Sequence, residues 1–523
     1  MDSNNNKIYD SIVLGAGISG IGMAVNLLKA NISSFLVLEK KSSVGGTWRD
    51  NTYPGLCCDV ASHFYAFSFE LNPNWSKKYP EQYEILDYLE MVTEKYKIKP
   101  HIKFNSEVLK AEFNEDESLW NIYISTGEIY KTKTLVSGLG QLNKPISPKF
   151  EGSQDFKGPS FHSAEWNHSI DLKGKKVGVI GTGPSAVGFI PKIAKEVDEL
   201  IIFQRTPNWI LPKPDRKFSE IEKWLLKNLP FFGKLYRLYE YVMAERLYFA
   251  FFNKQNKILS ILESIIANVT TGFKIKTMSS MYQQGQKMLL DAQISDQSLR
   301  DKLTPNYPVG CKRVIPTNDF FPALERENVF LKTEKISKFN KDSIITMDGN
   351  KSNVDVIIYG TGFKANIFIS PVKIIGLNDK DLDDVWKNGA EAYKGVMVPE
   401  FPNFFMCYGP NTNTGHVSII FMIESQIKFI IKSLKYIKKR NLKHIDVKQK
   451  AMTEYNNFIQ KKLSTTVWAA GCKSWYKTSD GKILNNFPGF GFEYYFMMSN
   501  FKYNDIKKRI LLIRFLKILK VKT

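Results

Sequence analysis

Two glycine runs stand where a strand would end and a helix begin, and runs of that kind hold phosphate. The first is Gly15-Ala16-Gly17-Ile18-Ser19-Gly20; the second is Gly181-Thr182-Gly183-Pro184-Ser185-Ala186. Glycine permits the tight turn and lets a pyrophosphate approach the backbone, where amides at a helix N-terminus carry partial positive charge. Ala186, in the third glycine's place, still allows close packing of helix on strand. The two runs differ at the end of the next strand. Glu39 closes the strand after the first run, 19 residues beyond Gly20, and a carboxylate there accepts hydrogen bonds from ribose hydroxyls, which fits FAD or NAD. The second run leads to Phe203-Gln204-Arg205-Thr206, with no acid. Arg205 can pair with a 2′-phosphate, which points to NADPH. Two dinucleotides on one chain imply electrons passing from NADPH to FAD.

The elements that must position these turns are readable from periodicity. Ser11–Leu14 and Val177–Ile180 are short buried-type strands. Each is followed by its glycine run, a helical run (to about Leu28 and Ala194) and a second apolar strand, Phe35–Leu38 or Leu200–Phe203. Both are βαβ units, so the expected fold is α/β, with two Rossmann-like dinucleotide-binding domains and a helical insertion. The FAD domain is expected over 1–145 and 371–500, and the NADPH domain over 146–210 and 306–370. Residues 211–305 form the insertion and 501–523 a basic tail. In the insertion, Lys223–Phe252 is aromatic and helical in pattern, its rings expected in a core rather than as a membrane anchor. Val354–Tyr359 reads as a strand running into Gly360-Thr361-Gly362-Phe363. Asn504–Thr523 reads as a basic amphipathic helix, with Ile506, Ile510, Ile513 and Leu516 near one face. Docking on the chain's own surface is the simpler expectation for it; peripheral contact with an anionic membrane is the other.

Composition narrows the class. The chain has 523 residues, 43% hydrophobic and 24% charged, as expected of a soluble globular protein of several domains. The net charge is +21, but only 11 of the 73 basic residues are Arg, and the lysines are spread along the chain. With no RNP, paired-Cys zinc or basic helix-turn-helix pattern, nucleic acid is not an expected partner. Neither a secretory h-region nor an uninterrupted spanning run is visible. Of the five cysteines, Cys57 and Cys58 are adjacent while Cys311, Cys407 and Cys472 stand alone. That count suits a reducing, cytoplasmic setting, and the missing CxxC argues against a disulfide reductase.

Further motifs converge on one family. Phe156-Lys157-Gly158-Pro159-Ser160-Phe161-His162-Ser163-Ala164-Glu165-Trp166 is similar to the FxGxxxHxxxW fingerprint of Baeyer–Villiger monooxygenases. Asn167 stands where that family usually has Pro or Asp. Gly45-Gly46-Thr47-Trp48, Tyr53-Pro54-Gly55-Leu56-Cys57-Cys58-Asp59 and Tyr65 resemble the family's flavin-wrapping segment. Gly310-Cys311-Lys312-Arg313, Asp319–Leu324, Arg326–Val329, Gly409–His416 and Ser474-Trp475-Tyr476 also have counterparts. The resemblance runs from about Ile8 to Tyr495.

The resemblance implies that Gly46, Thr47, Trp48, Asp59, Tyr65 and Gln141 line FAD. It places Arg205, Thr206 and Lys312 at the 2′-phosphate of NADPH, and has Trp475 close over the nicotinamide. Reduced flavin adds O2 at C4a, and an anionic peroxyflavin attacks a ketone through a tetrahedral adduct to give an ester or lactone. That path needs a fixed positive charge. Arg313 is the candidate, oriented by Asp59. Plainer readings stand beside these: Arg313 as a phosphate ligand, Asp59 as a turn or cap residue after Pro54-Gly55, Lys312 as a surface lysine, Trp475 as a packed interface ring, His162 as structural, Trp166 as a core ring, Cys57 and Cys58 as packing. An N- or S-oxidising flavin monooxygenase is the nearest alternative, although such enzymes carry another aromatic in Trp166's place. A cofactor-binding regulatory protein with lost chemistry is the alternative of another class, and the presence of both Asp59 and Arg313 counts against it.

Overall fold

In the strand Ser11–Leu14 every residue is buried, the signature of a strand covered on both faces. A computed structural model of the protein describes residues 7–248, 278–472, 474–478 and 480–510. Within it, Ser11–Leu14 is central in a parallel sheet ordered Phe404–Met406, Leu135–Ser137, Ser11–Leu14, Phe35–Leu38 and Ile102–Lys103. The helix Ile18–Lys29 crosses over from the first expected strand to the second. Lys176–Ile180 plays the same part in a second parallel sheet. It lies between Glu199–Phe203 and Val356–Tyr359, with Val329–Lys332 and Ser160–His162 at the edges. The helix Pro184–Ile193 is its crossover. The α/β reading with two dinucleotide-type sheets therefore holds. Each sheet is assembled from segments far apart in the chain, since a parallel strand needs only a crossover and not a neighbour in sequence.

The glycine turns obey close packing as well as φ. Gly15 and Gly181 adopt φ of +90° and +101°. A Cβ on Gly20 would lie 1.8 Å from the Gly15 carbonyl oxygen, and one on Gly181 would lie 2.6 Å from that of Gly360. Side chains at these places would push helix from strand.

Three sequence expectations change here. Ile506–Ile510 is a strand, antiparallel to Leu442–Val447, rather than the start of a helix. The segment IKKRI gains a ladder of backbone hydrogen bonds and buries Ile506, which local amphipathicity could not foresee; the rest of the expected tail helix, 511–523, lies outside the described residues. In the insertion, the helices Glu220–Asn228 and Pro230–Arg246 leave Trp224, Phe231 and Tyr239 exposed, so their rings are not the core that was expected, whereas Tyr248 is buried. The expected helical stretch over 249–277 lies outside the described residues. Finally, Cys311 and Cys472 do not stand alone but form a disulfide. Among the described residues no helix is long and apolar enough to cross a membrane.

Candidate functional site

The first turn presents its backbone in a cradle that backbone closes from two sides. Gly17 and Gly46 nearly touch: a Cβ on Gly46 would sit 3.0 Å from the Gly17 Cα. Glu39 is buried at the end of its strand. Its Oε2 accepts from the Ala16 amide at 2.8 Å and its Oε1 from the Lys41 amide at 2.9 Å, with Arg49 Nη1 at 3.2 Å. A carboxylate has about four lone-pair directions, which leaves acceptor capacity for ribose hydroxyls. Thr47 and Trp48 follow Gly46 in the short helix Thr47–Asp50, and Trp48 Nε1 donates to the Tyr65 hydroxyl at 3.1 Å. Gln141 lines a cavity with Ser137, Gly140, Phe368, Cys407 and Tyr408. Its Nε2 donates to the Tyr408 carbonyl at 3.3 Å, while its buried Oε1 has no hydrogen-bond partner among the described residues. An orphaned buried acceptor is costly unless something bound supplies a donor. These residues fit a flavin dinucleotide.

The second turn has a cationic rim. Arg205 is exposed at the end of its strand, followed by Thr206. Lys312 lies close enough for Arg205 to oppose its charge: burial, then repulsion by Arg205, lowers the Lys312 pKa. Its ammonium rests 4.8 Å from the Tyr307 ring centroid. Two neighbouring cations whose charges oppose one another suit a dianionic phosphate set between them. Asn208 Nδ2 donates to the Thr182 carbonyl at 2.5 Å and ties the turn to the segment after Arg205. Ser185 bonds the Tyr53 hydroxyl, whose pKa is nonetheless pushed up to about 12, chiefly by burial.

Between the two turns lies the pair that sequence spacing alone could not join. Asp59 and Arg313 are 254 residues apart, and Arg313 donates to Asp59 Oδ2 from Nε at 2.8 Å and from Nη2 at 2.5 Å. The loop carrying Asp59 is fixed at both ends. A Cβ on Gly55 would meet the Gly188 carbonyl oxygen at 2.4 Å, so this turn lies on the second domain's helix, and the Cys58 amide donates to the Pro80 carbonyl at 2.9 Å. Arg313 is positioned by a parallel ladder of Ile210–Leu211 with Ile315–Pro316 and by the buried Val309, packed with Trp209 and Tyr282. The Asp59 carboxylate raises the Arg313 pKa further, against the opposing effect of burial. The guanidinium is therefore a permanent charge at any working pH.

Two residues at this pair were not among the sequence candidates. Tyr476 and Tyr408 both interact electrostatically with Arg313. Burial pushes the Tyr476 pKa up to about 12 and raises that of Tyr408, with Arg313 working against burial in both. Tyr408 carries a signal of its own, a φ of +62° in a non-glycine residue just before Gly409. Trp475 is partly exposed, its ring centroid 4.4 Å from that of Tyr476. His162 Nδ1 accepts from the Ala164 amide at 3.0 Å and its strand edges the second sheet, which favours the structural reading. Trp166 packs on Phe189 of the crossover helix, ring centroids 5.2 Å apart. Cys58 is buried, and Cys57 Sγ accepts from Lys213 Nζ at 3.0 Å.

Similarity to known proteins agrees with this geometry. Residues 12–231, which include both glycine turns, match the family model described as pyridine nucleotide-disulphide oxidoreductase. A Baeyer-Villiger monooxygenase of Pseudomonas aeruginosa is 41% identical, over 91% of this chain and 87% of its own. One from Streptomyces coelicolor is 36% identical, over 91% and 88%. The solved OTEMO complex with FAD and NADP superposes with a TM-score of 0.83 at 26% identity, covering 96% of this chain and 99% of that one. Identity of this extent over nine-tenths of the chain settles the family: the chain belongs to the Baeyer–Villiger monooxygenases.

Proposed function

We propose that this protein is an NADPH- and O2-dependent flavin monooxygenase that inserts one oxygen atom beside a ketone carbonyl, giving an ester or lactone. The Asp59–Arg313 pair, set between the two dinucleotide turns, is the observation that carries the reading. FAD is held by the Gly15–Gly20 turn, Glu39, Gly46–Trp48, Tyr65 and Gln141. NADPH is held by the Gly181–Ala186 turn, with Arg205, Thr206 and Lys312 at its 2′-phosphate. Bound flavin, once reduced, supplies the electrons that activate O2.

The chain's own residues decide what that oxidant does. Arg313 supplies a fixed cation where negative charge develops on the former carbonyl oxygen, and a fixed cation costs no reorganisation during reaction. Asp59 holds the guanidinium plane through two N–H donors on one oxygen. Tyr408 and Tyr476, which burial keeps protonated, give Arg313 neutral neighbours that do not quench its charge. Cys57 and Cys58 take no part in electron transfer; Cys58 packs and Cys57 anchors Lys213. The domain limits expected from the sequence are retained in this reading, with the first sheet's segments serving FAD and the second's serving NADPH. The substrate is a small oxidisable molecule.

The test is NADPH oxidation by FAD-loaded protein against matched panels of ketones and thioethers. Faster oxidation with ketones, NADH a poor donor and esters among the products support the reading. Turnover with thioethers alone would assign the chain to the N- or S-oxidising class.

A further inference from the structure

The apolar side chains that the insertion leaves in water follow a helical repeat. On the helix Pro230–Arg246, Phe231, Leu235, Leu238 and Val242 are exposed at the spacing of one helical face, and Phe231 is 71% exposed. A neighbouring helix, Ile419–Lys439, repeats that spacing with a different chemistry: Lys428, Lys432, Lys435 and Lys439 are exposed along one face. Its single acid, Glu424, pairs with Arg237 at 3.5 Å, and none of the four lysines forms an ion pair among the described residues. That pair joins the two helices, as does Tyr241 stacked on Phe421 with ring centroids 5.1 Å apart. A third helix, Gly491–Ser499, meets both. Its first amides, those of Gly491 and Phe492, donate to Glu245 at 3.2 and 3.1 Å. Farther along it accepts from the lysine face: Lys428 Nζ donates to the Tyr495 hydroxyl at 2.7 Å and Lys432 Nζ to the Ser499 carbonyl at 2.5 Å. Its outer side carries Phe492 and Phe496, one turn apart, the latter 66% exposed. Apolar and cationic stripes therefore adjoin on one part of the surface.

We propose that this three-helix surface docks on an anionic lipid bilayer, the lysine face meeting the headgroups and the apolar side chains entering the acyl boundary. A large exposed apolar patch marks a surface that something covers. The cover here must suit both stripes. An anionic bilayer does, because it sets negative headgroups directly over hydrocarbon. Nucleic acid would satisfy the lysines but leave the leucine and phenylalanine side chains in water, and the stripe holds no Arg for forked phosphate contacts. A second copy of this chain, docked by the same surface, brings further lysines and no free acid from that helix to meet them. The net charge of +21 adds attraction at longer range. Each lysine at an anionic surface contributes about fivefold in binding, so four contribute on the order of several hundredfold.

The test floats the full-length, FAD-loaded protein with vesicles of phosphatidylcholine, either alone or with about a third phosphatidylserine. Binding to the anionic vesicles is expected to exceed binding to the neutral ones by about a hundredfold or more, and to fall steeply as salt rises. K428Q/K432Q/K435Q/K439Q should lose about a hundredfold or more on anionic vesicles. L235S/L238S/F496S should lose about tenfold and leave a remnant that salt alone reverses. Every substituted side chain is exposed, so Tm and bound flavin should match the wild type. Should a multiple variant not fold, K432Q and F496S carry the test, with about fivefold lost in each. No binding to anionic vesicles at low salt, or equal binding by the wild type and the variants, overturns the proposal. Capture of mixed-sequence RNA in place of vesicles would make the lysine face a nucleic-acid surface. A dimer seen by light scattering and dissolved in L235S/L238S/F496S, with no vesicle binding, would make the patch an interface between copies. None of these results bears on the proposed reaction, whose rate in vesicle-free buffer should be equal in the wild type and the variants.

Discussion

Replacing Arg313 by Met separates its charge from its bulk. The structure lets the two consequences be sized. The guanidinium and its Asp59 partner are 31% and 33% exposed, so water solvates much of what the substitution leaves behind. Loss of such a pair costs no more than about 1 kcal/mol of stability. For a chain of this length that shifts Tm by less than about 2 °C. Catalysis should suffer more, because a preorganised donor aimed at developing charge contributes roughly 3–4 kcal/mol, or about 10²–10³-fold in kcat. R313K keeps a charge but loses the forked geometry on Asp59, and its kcat should fall less, by about tenfold. The assay is stopped flow in two halves: anaerobic flavin reduction by NADPH, then reoxidation with ketone present. R313M should retain flavin and be reduced at close to the wild-type rate, yet release peroxide in place of ester. Ester formation within about threefold of wild type would refute the role given to Arg313. Loss of flavin reduction instead would make Arg313 a ligand of NADPH phosphate.

Other single features of the fold carry their own expected outcomes. R205A and K312A should each raise KM for NADPH by roughly 10–100-fold while leaving KM for NADH within about twofold, since each removes a charged hydrogen bond to the 2′-phosphate; equal losses with both donors would place the phosphate elsewhere. G20A should yield protein largely without flavin, read from the visible absorbance after purification, because its Cβ would collide with the Gly15 carbonyl. His63 is buried between the rings of Phe218 and Tyr236, and burial, aided by the Arg237 charge, lowers its pKa to about 4. A depressed pKa gives stability that is full above the unfolded value near 6.5 and is lost as pH falls through 4, by up to about 3 kcal/mol. H63F should therefore gain Tm relative to wild type as pH drops from 7 to 4.5. His444, also held near 4, keeps part of the slope in the variant; a gap between the two proteins that is flat with pH would count against the assignment.

Both βαβ units were legible in the sequence because strand, glycine run and helix are contiguous, and their bounds move by only a residue or two. The Asp59–Arg313 contact was legible only through the family's motifs, since no local rule joins residues 254 positions apart. The Cys311–Cys472 pairing was invisible for the same reason: isolated cysteines pair by tertiary approach, which spacing does not encode. Ile506–Ile510 was read as helix because a short apolar and basic run fits either period, and its partner strand Leu442–Val447 decided the matter. Tyr408 and Tyr476 acquire meaning only once Arg313 is placed beside them. Trp224, Phe231 and Tyr239 show the converse, aromatic residues whose pattern promised a core and which lie exposed.

In the proposed reaction oxygen from O2 enters between a carbonyl carbon and its neighbour, under the control of Arg313. Its most direct measurement is turnover of a cyclic ketone with NADPH under 18O2, the product analysed by mass spectrometry for the wild type and for R313M. The wild type should give a lactone carrying one 18O in the ring, and R313M unlabelled ketone with labelled peroxide. Labelled sulfoxide from an added thioether with no lactone, unchanged in R313M, would contradict it.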